Sequence, residues 1–303
     1  MKNPSLSKRA IILTAATLLL AGAAVVFVIK SKLLLIRGED VAIASGDVTL
    51  TATLALPRSG NGPFPAVVVV HGSGRVTRRD LRSYGGQLVP QGMAVLFYDK
   101  RGVGESTGRF RPFRVADCET LIRELATDVL AAVSYLKERK DVDASRIGLI
   151  GGSQAGWIMP LAASQSGDIA FIINLAGPAV TCGQVEYYQQ LTGANGGTPA
   201  EISDAEINER VGRFDGPQGY DPLPVLESVS VPMLWMLGGK DLNVPSALTA
   251  SIVERLVEDG HANHTIKIYP DADHDFHHAG TGRLIDPLPD IRTWLESIKV
   301  LRQ

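Results

Sequence analysis

Arg146-Ile147-Gly148-Leu149-Ile150 runs directly into Gly151-Gly152-Ser153-Gln154-Ala155-Gly156. A short buried strand that stops on a serine between small residues and continues as a helix needs a very sharp turn. That turn holds the serine in a strained backbone conformation, with its hydroxyl above the end of the sheet. Bulky side chains two positions before or after it would collide, and Gly151 and Ala155 occupy those two places.

The rest of the chain repeats the strand-then-helix theme. Val41 to Ala44 and Val48 to Pro57 read as two antiparallel strands joined through Ser45-Gly46-Asp47. Ala66 to Val70 is a continuous β-branched run, as expected of a strand covered on both faces. Met93 to Tyr98, Ile147 to Gly151, Phe171 to Ala176, Pro232 to Leu237 and Thr265 to Tyr269 complete the set. Helical spacing marks Leu121 to Lys137, and helices are expected over Ser153 to Ser164, Ser246 to Glu258 and Pro289 to Leu301. This alternation predicts an α/β fold: a mostly parallel, doubly wound, eight-stranded sheet with helices on both faces. Ligands of such sheets sit at the carboxyl ends of the strands, where Ser153 lies. About residues 178–230 form an insertion after the sixth strand, with Tyr187, Tyr188, a Gly193–Gly197 turn and the helical stretch Glu201 to Phe214. Its length predicts a small cap over the site, the alternative being a surface excursion.

A serine hydroxyl is a weak nucleophile near neutral pH unless a base takes its proton and an acid orients that base. Asp241 follows the seventh strand in Leu237-Gly238-Gly239-Lys240-Asp241, and His274 follows the last strand in Asp271-Ala272-Asp273-His274-Asp275-Phe276. Ser153, Asp241 and His274 are therefore the expected nucleophile, orienting acid and base, with His277 as the fallback base. Oxyanion donors are expected at the backbone N–H of Gln154 and, in the His71-Gly72-Ser73-Gly74 loop after the third strand, at Ser73. Asp99-Lys100-Arg101-Gly102-Val103-Gly104-Glu105-Ser106 lacks the Gly-Lys-Ser/Thr ending of a phosphate loop and reads as scaffold, Arg101 bracing its neighbours. Three aspartates and three histidines crowd residues 271–278, but one compact loop cannot aim them all at a single ion. No metal and no cofactor is expected.

These motifs together resemble the α/β-hydrolase superfamily over about residues 40–300, and most closely its dienelactone-hydrolase-like and prolyl-oligopeptidase-like serine esterase branch. Ala155 stands where the family pattern has glycine. The resemblance implies a serine carboxylic-ester hydrolase of small acyl substrates working through an acyl-enzyme. A peptidase or acyl-thioesterase on the same residues is the enzymatic alternative. A membrane-tethered binding protein on an inactive scaffold is the alternative of another class.

The N-terminus reads as a separate piece, residues 1–37 against a hydrolase domain over 38–303. Lys2, Lys8 and Arg9 precede an uncharged stretch from Ala10 to Ile29. Those residues would span roughly 30 Å as a helix, the thickness of a bilayer's hydrocarbon core. Val25 to Ile29, beyond the candidate cleavage site Ala21-Gly22-Ala23, favours a membrane anchor with an extracytoplasmic catalytic domain over a cleaved signal and a secreted or periplasmic product. In such a compartment Cys118 and Cys182 could pair. A net charge of −2 with no basic block gives no reason to expect nucleic acid as a partner.

Overall fold

The computed structural model describes residues 38–302. The segment read as a membrane anchor, residues 1–37, lies outside the described residues. Among those described, no helix is long and apolar enough to cross a membrane.

Eight strands form one sheet: β1 (Gly38–Ser45), β2 (Val48–Ala55), β3 (Phe64–Val70), β4 (Ala94–Tyr98), β5 (Val142–Gly152), β6 (Phe171–Leu175), β7 (Met233–Gly238) and β8 (His264–Tyr269). Their order across the sheet is β1-β2-β4-β3-β5-β6-β7-β8. β1 pairs antiparallel with β2, and β2 antiparallel with β4. Every pairing from β4 through β3 to β8 is parallel. All eight strands stand where the hydrophobic runs predict them.

Alternate residues of the central strands face opposite sides, which explains why both faces are covered. Val68, Val70, Leu96 and Leu149 join one core with helices α2 (Cys118–Lys137) and α3 (Ala155–Ser164). On the other face a Cβ at Gly85 would stand 2.5 Å from Val69 and 3.1 Å from Phe97, so α1 (Arg82–Gly85) lies directly on the sheet. Trp294, from the C-terminal helix, meets Phe171 edge-on there.

The insertion after β6 holds three helices, α4 (Cys182–Thr192), α5 (Asp204–Gly212) and α6 (Leu223–Ser228). Thr181 caps α4 by accepting from the Gln184 N–H, while the Gln184 side chain accepts from the Thr181 N–H. Ser203 caps α5, which makes that helix shorter than the predicted Glu201 to Phe214. Helices α7 (Ser246–Glu258) and α8 (Leu288–Ser297) follow β7 and β8. Cys118 and Cys182 form a disulfide, joining the first residue of α2 to the first residue of α4.

Candidate active site

Ser153 leaves β5 with φ of 56°, a left-handed conformation that a non-glycine residue adopts only where its surroundings impose it. Its N–H donates to Leu175 O of β6 (3.1 Å), and its carbonyl accepts from the Gly156 N–H (2.8 Å). The crowding behind the turn explains its small residues. A Cβ at Gly151 would come within 2.5 Å of the Ala155 Cβ and 2.7 Å of Val70 O, and one at Gly156 within 2.8 Å of Gly177 Cα. Ala155 fills the room that a glycine would leave, and Gly151 is the residue that yields.

Asp241 and His274, 33 residues apart, meet at the ends of β7 and β8, with His274 Nδ1 2.8 Å from Asp241 Oδ2. The other carboxylate oxygen, Oδ1, accepts from the N–H groups of Asn243 (2.7 Å) and Val244 (2.9 Å). The carboxylate is thus held from both sides, and its side chain is fully buried. Gly238 and Gly239 permit this meeting. Cβ atoms there would stand 2.6 Å from Ala272 O and 2.5 Å from Pro270 O in the histidine's own loop. Burial alone would depress the imidazole pKa. The hydrogen bond and charge of Asp241, with Asp275 and Asp273, outweigh that and raise it above the ordinary value.

Ser153 and His274 line the same cavity, of about 500 Å³. Ser73 and Gln154 share a second, much smaller cavity with Ser153, of about 30 Å³. The His71–Gly74 loop rests on the elbow, since a Cβ at Gly72 would be 3.5 Å from the Ser153 Cβ. The backbone N–H groups of Ser73 and Gln154 have no hydrogen-bond partner among the described residues. His277 also lines the large cavity, but its Nδ1 is 3.9 Å from Asp273 rather than beside Asp241. Among the described residues, no group of three or more His, Cys, Asp or Glu side chains converges as metal ligands.

The insertion contributes to this site in two ways. Val185 and Gln189 of α4 wall the small cavity. The same helix also holds the Asp241 loop: Tyr188 Oη donates to Asp241 O (2.8 Å), Gln189 Nε2 to Asn243 O (3.0 Å) and Thr192 Oγ1 to Leu242 O (2.6 Å).

The Asp99–Ser106 loop is scaffold in part. Buried Asp99 accepts from the N–H groups of Arg78 and Glu105 and pairs with the Arg78 guanidinium. Arg101 braces helix α2 through two 2.7 Å bonds to Asp128. Lys100 goes beyond that reading. Only 1% exposed, it donates from Nζ to Gly72 O (2.8 Å) and to Gln154 Oε1 (3.0 Å). A cation therefore sits against Gly72 and Gln154, next to the small cavity that Ser73 and Gln154 line. Burial lowers its pKa to about 8. His71, buried next to it, is held neutral by desolvation and by Lys100, with a pKa of about 3. In the sequence, only the position of Lys100 right after a central strand hinted at this.

A family profile described as "Prolyl oligopeptidase family" matches residues 83–296. The chain is 30% identical to "Esterase EstD" of Thermotoga maritima over 257 residues, covering 74% of this chain and 57% of that protein. It is 24% identical to "Quorum-quenching protein AidA" of Acinetobacter baumannii over 193 residues, covering 64% of this chain and 58% of that one. The chain thus spans little more than half the length of these curated relatives. Among solved structures, a Pyrococcus furiosus esterase superposes with a TM-score of 0.62 at 19% identity, over 88% of this chain and 92% of that one. The α/β-hydrolase fold is common to both.

Proposed function

This chain belongs to the prolyl oligopeptidase family, and from that premise we propose that it is a serine carboxylic-ester hydrolase. Ser153 Oγ attacks the ester carbonyl while His274 Nε2 takes its proton. Asp241 keeps Nδ1–H pointed at its own Oδ2 and stabilises the imidazolium that forms. The N–H groups of Ser73 and Gln154 receive the oxyanion. His274 then protonates the leaving alkoxide, and after the alcohol departs it activates a water that attacks the acyl-enzyme.

The observation that carries this reading is the fixed Asp241–His274 pair, whose imidazole faces the cavity bordered by a serine at φ 56°. A small acyl group is favoured because Phe113, Trp157, Val185 and Val244 close the space beside the oxyanion donors. The name of the T. maritima relative favours esters, and the family name keeps peptides in view.

Residues 1–37 would tether the domain to a membrane with the catalytic part outside the cytoplasm. The Cys118–Cys182 disulfide supports an oxidising compartment. The test is Ser153→Ala assayed on short-chain esters, aminoacyl amides and acyl thioesters. Loss of ester hydrolysis with an unchanged melting curve supports the reading. Undiminished hydrolysis by the variant refutes it.

A further inference from the structure

Ser153 stands on the border of two unequal cavities, and the two are lined by different parts of the machinery. The 500 Å³ chamber includes Ser153 and His274 but neither Ser73 nor Gln154. The 30 Å³ recess includes Ser153, Ser73 and Gln154 but not His274. From this division we propose that the natural substrate is a short-acyl ester, such as an acetate or propionate, of a bulky, uncharged, hydrophobic alcohol. The chamber would hold the alcohol. This rests on the hydrolase reading above and deepens it.

In the tetrahedral intermediate the carbonyl carbon carries four groups: Ser153 Oγ, the oxyanion, the acyl substituent and the leaving oxygen. The leaving oxygen must come within hydrogen-bond reach of the imidazole that protonates it. The alcohol part therefore extends into space next to His274, which is the chamber. When the C–O bond to the alcohol breaks, its electron pair takes the proton from His274 and the alcohol leaves whole. The acyl group stays bonded to Oγ with its oxygen on the two donors, and its substituent, on the side away from the departing alcohol and His274, extends along the recess.

Size and polarity then set the substrate class. The recess is far smaller than the chamber, and Phe113, Trp157, Val185 and Val244 crowd it, which favours a short acyl substituent. The chamber lies within the range of cavities that enclose drug-sized ligands, roughly 300–1,000 Å³. Its inner wall is apolar, with Val70, Leu88, Ile150 and Ile291 among the buried residues. Asp275 and Asp286 also line it, and among the described residues neither Lys nor Arg does, which disfavours an anionic alcohol.

Two ester series separate the parts. In one, acetates carry unbranched primary alcohols from ethanol to decanol, so the basicity of the leaving group stays constant. In the other, ethyl esters carry acids from acetate to decanoate. kcat/KM is expected to rise along the alcohol series by about three- to fourfold per methylene until the chamber is filled. Along the acid series it is expected to fall by roughly tenfold or more beyond propionate, since overfilling a packed space is costly. Leu88→Trp, which adds bulk inside the chamber, is expected to lower the decyl acetate to ethyl acetate rate ratio by roughly tenfold.

A preference for long acids over long alcohols, with activity still dependent on Ser153, would overturn this assignment and leave the hydrolase reading standing. A flat alcohol series would overturn it as well. If no ester is cleaved and Ser153 reacts with no organophosphonate, the underlying reading has failed with it.

Discussion

His274 and Asp241 are joined by a 2.8 Å hydrogen bond through Nδ1, while two backbone N–H groups hold the other oxygen of the same carboxylate. The carboxylate therefore has little freedom to turn, and with Nδ1 bonded to Asp241 the imidazole leaves Nε2 as the nitrogen that the proposed reaction uses. Asp241→Asn keeps the shape but removes the charge and favours the wrong tautomer. It is expected to lower kcat by on the order of 10³–10⁴-fold with little change in KM, read from initial rates on a short-chain ester.

In the proposed reaction the same pair is expected to set the acid side of the pH profile. Only neutral His274 can accept the serine proton, and its pKa is raised once Asp241 has outweighed desolvation. Activity is expected to be lost as pH falls through a value above the ordinary imidazole pKa of about 6.5. Fitting kcat/KM against pH checks this. In Asp241→Asn the residual activity is expected to have its acid limb displaced to lower pH.

Lys100 supplies a third prediction. Its ammonium hydrogen-bonds Gly72 O, on the peptide unit whose N–H belongs to Ser73, and also holds the Gln154 side chain. A cation there polarises that peptide and favours negative charge developing in front of it. Lys100→Met retains length and suits a buried site, and is expected to reduce kcat by roughly tenfold or more with KM less affected. The wild type is expected to lose rate as pH rises through about 8, where Lys100 gives up its proton. That alkaline limb is expected to vanish in the variant.

How the sequence compares with the structure depends on which interaction shapes each part. The strands were readable because runs such as Ala66–Val70, buried on both faces, leave an unbroken apolar trace. The placement of Ser153, Asp241 and His274 after strand ends was readable because each follows an apolar run, those of β5, β7 and β8. Lys100 was not, since three charged residues in a row, Asp99-Lys100-Arg101, look like a solvated loop until the chain is folded. Helix α1 and the 3₁₀ segment Gly86–Gln91 that continues it have no such trace for a related reason. Their place is set by packing of Gly85 on Val69 and Phe97, and Pro90 obscures any helical period. The two cavities are products of loop packing and have no linear signature.

The disulfide gives a stability prediction with a functional echo. It closes a loop of 64 residues and anchors the start of α4, whose Tyr188, Gln189 and Thr192 hold the Asp241 loop. The double variant Cys118→Ser, Cys182→Ser is expected to lose about 2–4 kcal/mol in denaturant melts. Tyr188→Phe is expected to lower kcat modestly while leaving the disulfide and most of the stability intact, which separates the strut from the cross-link.

The decisive measurement is to treat the purified protein with a fluorophosphonate and map the adduct by peptide mass spectrometry, in parallel with Ser153→Ala and His274→Ala. One adduct per chain, on Ser153, is expected in the wild type, with none in Ser153→Ala and labelling far slower in His274→Ala. An unmodified Ser153 in a protein that still hydrolyses esters, or labelling that is indifferent to His274, would contradict the assignment of this serine as the attacking group.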